Sequence, residues 1–167
     1  VVDHLRSRGI DVYLETFLED CTDKVCKLSN GEQFTADTIV WNAGVKANPV
    51  LVDSDLPLDD RGRVTVRADL RVEDENGVVE GAWAAGDNAA VPDLTGDGPG
   101  GFCVPNAQHA VRQAPVLAAN LLASLRGETE FKQYYHKSLG VVAGMGLWKG
   151  VSQMGKTELR GPIAWAM

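Results

Sequence analysis

"VEGAWAAGDNAAVPD", residues 79–93, decides how this chain is read. An apolar run climbs through Val79, Ala82, Trp83 and Ala84, stops at Gly86-Asp87, and gives way to small residues. The pattern predicts a strand that ends by presenting one carboxylate at its carboxyl end, directly after a glycine. In open α/β sheets that position faces the crevice where ligands bind. A short loop later "NAQHAVRQAPVLAANLLASL", residues 106–125, has the spacing of a long helix. Ala107, Ala110, Val111, Ala114, Leu117, Ala118, Leu121, Leu122 and Leu125 fall at intervals of three and four. Asn106 is the predicted N-cap and Gly127 the C′ residue. Pro115 lies inside the pattern and predicts a bend, because its ring removes a donor and crowds the preceding turn.

Working outward, "TIVWNAGVKANP" (residues 38–49) reads as a second apolar strand over 38–41, finished by Ala43-Gly44. A strand buried on both faces and ended by small residues is what a parallel sheet shows where a ligand approaches. Ala43 and Gly44 are therefore candidate ligand contacts beside Gly86 and Asp87. Residues 2–8 predict the end of a helix closed by Gly9, and Ile10 to Leu18 alternates as a strand would. Asn30-Gly31 and Asn76-Gly77 are hairpin signals, and Asp60-Arg61-Gly62 marks another turn. Residues 92–104 form a Gly/Pro-rich loop without the Lys and Ser/Thr of a phosphate loop. After Gly127 the chain turns glycine- and aromatic-rich, which predicts strands.

Composition sets the outer limits. At 167 residues with 44% hydrophobic and 23% charged residues, the chain has the make-up of a globular protein. Sixteen basic residues against 23 acidic give a net charge of −7, which argues against a nucleic-acid surface, and no basic run rescues one. No apolar run approaches the roughly 20 residues of a membrane-spanning helix. The first residues carry charge almost at once, unlike a secretory leader. Cys21, Cys26 and Cys103 lack CxxC or His-adjacent spacing, so a reduced, cytoplasmic setting is expected, with neither a metal site nor a redox disulfide. Both ends read as cut from a longer protein.

The strand-Gly-Asp-loop-helix unit carries the chemistry. Asp87 can accept hydrogen bonds from a ribityl or ribose hydroxyl, and Gly86 lets the ligand come close. A helix opening at Asn106 offers amide donors and a partial positive charge, suited to a group that becomes anionic on reduction. His109, one turn into that helix, reads as a base or equally as a polar surface residue. His4 and His136 have no partners in sequence and read as solvated. Tyr134, Tyr135, Trp148 and Trp165 read as core, with a membrane-facing or dimer-forming patch as the alternative.

"TIVWNAGVKANP", "GAWAAGDNA" and "NAQHAVRQA" together resemble the second half of two-dinucleotide-binding-domain flavoproteins, most closely the type II NADH dehydrogenases (NADH:quinone oxidoreductases). The resemblance covers essentially the whole chain. It implies an α/β fold, the C-terminal portion of a Rossmann-like FAD/NAD(P) flavoprotein. Residues 1–47 would be the remainder of the NADH-binding domain, 48–127 the second segment of the FAD-binding domain, and 128–167 the start of a strand-rich domain facing a dimer partner or a membrane. By the same likeness FAD is the cofactor and NADH the electron donor. Asp87 would bind the ribityl–pyrophosphate region, and Ala107 and Gln108 would lie by the isoalloxazine ring. Gln108 would be the catalytic contact to a quinone, with Arg112 one turn further on. The location implied is cytoplasmic, peripheral on the inner face of the cell membrane.

Two departures stand out. The quinone-reducing members usually carry Ala-Gln-x-Ala-x-Gln, whereas Arg112 stands here where the second Gln would be, and Gln113 comes one place late. One residue on a helix is a rotation of about 100°, so Gln113 cannot take over that place. A soluble flavoprotein reductase with a non-quinone acceptor, or a catalytically silent domain, stays open. The chain also has no Gly-x-Gly-x-x-Gly, so it carries neither nucleotide's pyrophosphate turn.

Overall fold

The computed structural model describes residues 1–167, which form two compact units. One comprises Val1–Ala43 and Gly140–Met167, the other Gly44–Leu139.

In the first unit a short helix α1 (Val2–Arg6) is followed by an antiparallel sheet of β1 (Leu18–Thr22), β2 (Val25–Leu28) and β3 (Gln33–Thr35), in the order β1-β2-β3. The Asn30-Gly31 signal holds: Gly31 donates its amide to the Leu28 carbonyl at 2.9 Å and turns β2 into β3. A second antiparallel sheet follows the aromatic-rich sequence, with β8 (Val141–Gly144), β9 (Gly150–Met154) and β10 (Thr157–Gly161) in the order β10-β9-β8, closed by the short helix α3 (Pro162–Trp165).

Two expected strands are absent. Only Leu18 of the Ile10–Leu18 run is in a strand, and residues 38–41 are irregular, with Val40 74% and Trp41 67% exposed. Apolar sequence does not make a strand unless a neighbouring strand takes up its backbone donors and acceptors, and none lies beside either segment. The buried parallel strand ending in Ala43-Gly44 is therefore not present.

The second unit is built around Val64, Val66, Leu70, Val72, Ala89, Val91, Cys103 and Tyr134. Strand β4 (Val64–Thr65) pairs with β7 (Ala89–Ala90), the one parallel pairing. Strands β5 (Arg71–Asp74) and β6 (Gly77–Trp83) form an antiparallel hairpin over the Asn76-Gly77 turn. The run through Trp83 is thus a strand as expected, but its neighbour is antiparallel. Burying Leu70 completely holds it at φ 73°, a left-handed backbone that a branched apolar residue adopts only under strong packing.

Helix α2 spans Ala107–Leu125 without interruption at Pro115. The Asn106 side chain accepts from the His109 amide at 2.9 Å, a true N-cap. At the other end Gly127 (φ 77°) donates to the Ser124 carbonyl and Glu128 to that of Ala123, the two bonds of a Schellman motif that needs a left-handed residue. The buried stripe of α2 corrects the sequence pattern. Its buried residues are His109, Gln113 and Asn120, whereas Val111, Leu122 and Leu125 are 70%, 49% and 85% exposed. Each buried polar group is matched to a polar partner, which is what lets it go inside. The Asn120 amide donates to the carbonyls of Asp69 (2.9 Å) and Lys132 (2.8 Å), and its oxygen accepts from the Lys132 amide (2.9 Å). This ties the segment after α2 onto the core, where Phe131 meets Trp83 edge-on and stacks under the Arg71 guanidinium.

Candidate cofactor and acceptor site

After β6 the chain crosses Ala84 and Ala85 and turns through a single 3₁₀ turn, Gly86–Asn88, before entering β7. Gly86 takes φ 76°, and a Cβ built there would lie 3.7 Å from the Cβ of Ala110 on α2. The glycine serves the left-handed backbone of the turn; the 3.7 Å to Ala110 is an ordinary van der Waals distance. The Gly86 amide donates to Gln113 Oε1 at 2.7 Å, and Gln113 is only 2% exposed. This bond clamps the Gly-Asp turn to the first part of α2. Gln113 thus points inward and holds Gly86.

Asp87, exposed, lines a cleft of about 500 Å³ with Val45, Lys46, Ala47, Arg61, Arg63 and Pro105. Its charge pattern is one carboxylate facing several cations. Arg63 is tied down, donating from Nε to Asp59 Oδ2 at 2.8 Å, with its Nη2 2.6 Å from the same oxygen. Burial alone would push the Asp59 carboxyl up, but hydrogen bonds from Arg63 and the Arg61 amide outweigh it and hold Asp59 below the usual carboxylate range. Lys46 and Arg61 bring cations for an anionic ligand. Sequence reasoning missed both, although Lys46 sits inside the "GVKANP" segment that carried the resemblance.

At the start of α2 a second cluster forms. Gln108 Oε1 lies 2.9 Å from His136 Nε2 and accepts from the Leu139 amide at 2.8 Å. Arg112 folds back along the helix, its Nη1 donating to the Gln108 carbonyl at 3.0 Å. His109 is 5% exposed, not a surface residue, and its Nδ1 is 2.9 Å from the Tyr134 hydroxyl. The rings of His109 and His136 meet edge-on with centroids 5.7 Å apart. Burial lowers the His109 pKa, Arg112 lowers it further, and Asp93 opposes them in part. Burial, then Arg112 and His109, lower that of His136. Both imidazoles are thereby favoured in the neutral form at neutral pH. Burial pushes the Tyr134 hydroxyl up to about 12.

The expectation that His136 is solvated is corrected: residues 128–139 return to the helix start, a non-local contact that sequence spacing does not reveal. His4 is corrected too, its Nε2 being buried without a partner. Of the aromatic residues, Tyr134 is core, while Tyr135 (67%) and Trp148 (56%) are exposed and Trp148 packs on Trp165. The structure brings Gly86, Asp87, Ala107, Gln108 and Arg112 into one unit together with Gly44. Ala43 falls in the other unit, at the end of its first segment.

The unit is mixed α/β, with a Gly-Asp turn bonded to a capped helix. The chain belongs to the pyridine nucleotide-disulphide oxidoreductase family, whose pattern matches residues 1–114. Among individual relatives it is 31% identical to the type II NADH:quinone oxidoreductase of Staphylococcus epidermidis, over 93% of this chain and 39% of that protein. It is 29% identical to the demethylphylloquinone reductase of a Synechocystis species, over 96% of this chain and 38% of that one. The chain thus spans about two fifths of the length of these curated relatives. In fold it resembles the crystal structure of reduced Bacillus anthracis CoADR-RHD, with a TM-score of 0.69 at 21% identity, covering 92% of this chain and 26% of that one.

Proposed function

We propose that this chain supplies the flavin-facing part of an FAD-dependent oxidoreductase that takes electrons from NADH and passes them to a quinone. The observation that carries the proposal is the Gly86–Gln113 bond, which fixes the Asp87 cleft beside the opening of α2. The donor set of the cleft fits the cofactor. Asp87 would accept hydrogen bonds from the ribityl hydroxyls, Lys46 and Arg61 would face the pyrophosphate, and Gly44, with nothing within 4 Å of a built Cβ, leaves room for close approach. Ala107 opens the helix, and its amide belongs to the set that no carbonyl within the helix reaches, directed where a reduced ring carries charge. Bound FAD supplies the chemistry of accepting a hydride and releasing electrons to an acceptor.

The residues of the chain then divide the remaining work. Gln108 meets the carbonyl oxygen of the quinone as that oxygen gains charge. His136 and the Leu139 amide hold the Gln108 carboxamide in one orientation. Arg112 adds positive charge one turn behind. Type II enzymes of this kind work at a membrane surface, and we place this one on the cytoplasmic side; no helix of the chain is long and apolar enough to cross a membrane. One observation favours a second reading, a non-quinone acceptor: Arg112 stands where quinone-reducing members usually carry a second Gln.

Steady-state assays of the full-length protein separate the two. With NADH and a short-chain quinone, Gln108→Ala should lower quinone turnover while ferricyanide reduction persists. Unchanged quinone turnover and KM in Gln108→Ala would leave the non-quinone acceptor as the answer.

A further inference from the structure

The β1–β2 hairpin closes through Asp23 and Lys24, with φ of 51° and 66°. Two consecutive left-handed residues define the type I′ turn that suits the twist of a two-residue hairpin. Thr22 faces Val25 across the first rung, and Cys21 faces Cys26 across the next. Directly opposed rungs of an antiparallel ladder alternate between hydrogen-bonded and non-hydrogen-bonded pairs. A two-residue turn closes on a hydrogen-bonded rung, so the cysteines occupy a non-hydrogen-bonded one, where Cα atoms are about 4.5 Å apart. That spacing falls within the roughly 4.4–6.8 Å a disulfide requires. The side chains agree: the two Sγ atoms are 2.8 Å apart, each thiol being the other's hydrogen-bond partner. The ladder's irregularity lies between Leu18 and Asp20, away from this rung.

We infer that Cys21 and Cys26 are an oxidisable dithiol that closes to an intrachain disulfide by exchange with a small-molecule disulfide. Cys21, half-buried, is the sulfur a reagent reaches; Cys26, 2% exposed, is the resolving one. In the first step the Cys21 thiolate attacks the reagent's S–S bond, forms a mixed disulfide and expels one thiolate. In the second, Cys26 gives up its proton and attacks Cys21 Sγ, expelling the other. Two electrons pass from the protein thiols to the reagent, which leaves as two thiols once it takes up the two protons. The hydrogen bond from Cys26, then burial, push the Cys21 thiol up to about 11, so the rate should climb with pH as the thiolate fraction grows. Cys103 is an internal control, buried, with a thiol pushed up to about 11 by burial and then by Asp93, and without a sulfur partner. The spacing reading that excluded a redox disulfide missed the pair because the hairpin register, not a CxxC turn, brings it together.

The test is to incubate the native protein with glutathione disulfide, quench with acid, alkylate, and measure intact mass and a non-reducing peptide map. The expected product has lost two of its three titratable thiols and about 2 Da, carries a Cys21–Cys26 link, and reopens with dithiothreitol. Cys26→Ser should instead stop at a stable glutathione adduct on Cys21, and the wild-type rate should rise roughly tenfold per pH unit from about 7 to 9. Three surviving thiols, a persistent glutathione adduct in the wild type, or a link between chains would overturn the inference. So would reaction of Cys103 at the same rate, which would assign the chemistry to unfolded chain.

Discussion

Replacing Gln113 by leucine keeps the approximate length and volume of the side chain but removes the acceptor for the Gly86 amide. The lost bond is 2.7 Å long, and its acceptor side chain is 2% exposed, so water cannot readily replace it. An amide left unpaired in such a place costs about 1–3 kcal/mol, and the greater burial affinity of leucine offsets part of that. A net loss of about 1–2 kcal/mol of unfolding free energy is expected, a factor of about 5 to 30 in the folding equilibrium. Urea unfolding followed by fluorescence should show a lower midpoint with an unchanged slope. Val111→Leu, on a residue 70% exposed, should fall within about 0.5 kcal/mol of wild type. Because Gly86 carries Asp87, the Gln113 variant of the full-length protein should also retain less flavin. A Gln113→Leu protein with wild-type stability and full flavin content would refute the clamp.

Two further expectations follow from the polar groups on α2. Asn120→Ala removes three hydrogen bonds and strands the Asp69 and Lys132 backbone groups, so it should destabilise by about 2–4 kcal/mol in the same unfolding assay. The imidazoles of His109 and His136 have folded pKa values below the ordinary 6.5, so the unfolded chain binds more protons as pH falls. Their contribution is fully present above about pH 6.5 and is lost as pH drops through the lower folded values; His109→Gln should flatten that part of the stability–pH curve.

What the sequence disclosed is what local chemistry specifies. Asn106 capping α2, Gly127 ending it, and the Asn-Gly turns each follow from the few residues involved. The two missing strands at Ile10–Leu18 and at residues 38–41 depend on partners, and no local pattern supplies a partner. The face of α2 was misread for a related reason. Periodicity selected Val111, Leu122 and Leu125, yet His109, Gln113 and Asn120 are buried because backbone groups and a tyrosine elsewhere in the chain satisfy them. Arg61 and Lys46 were invisible as site residues because the cleft is assembled from segments far apart in sequence. The opposed cysteines became visible only through register.

Flavin affinity in the full-length protein with Asp87→Ala tests the cofactor role of the Gly86-Asp87 turn most directly. Losing a charge-assisted hydrogen bond to a sugar hydroxyl should cost about 1.5–3 kcal/mol, weakening FAD binding by roughly 10- to 150-fold. Titration of apoprotein with FAD, read by quenching of flavin fluorescence, gives the dissociation constant. That weakening is expected with the fold intact by circular dichroism. An Asp87→Ala protein that binds FAD as tightly as wild type would contradict it.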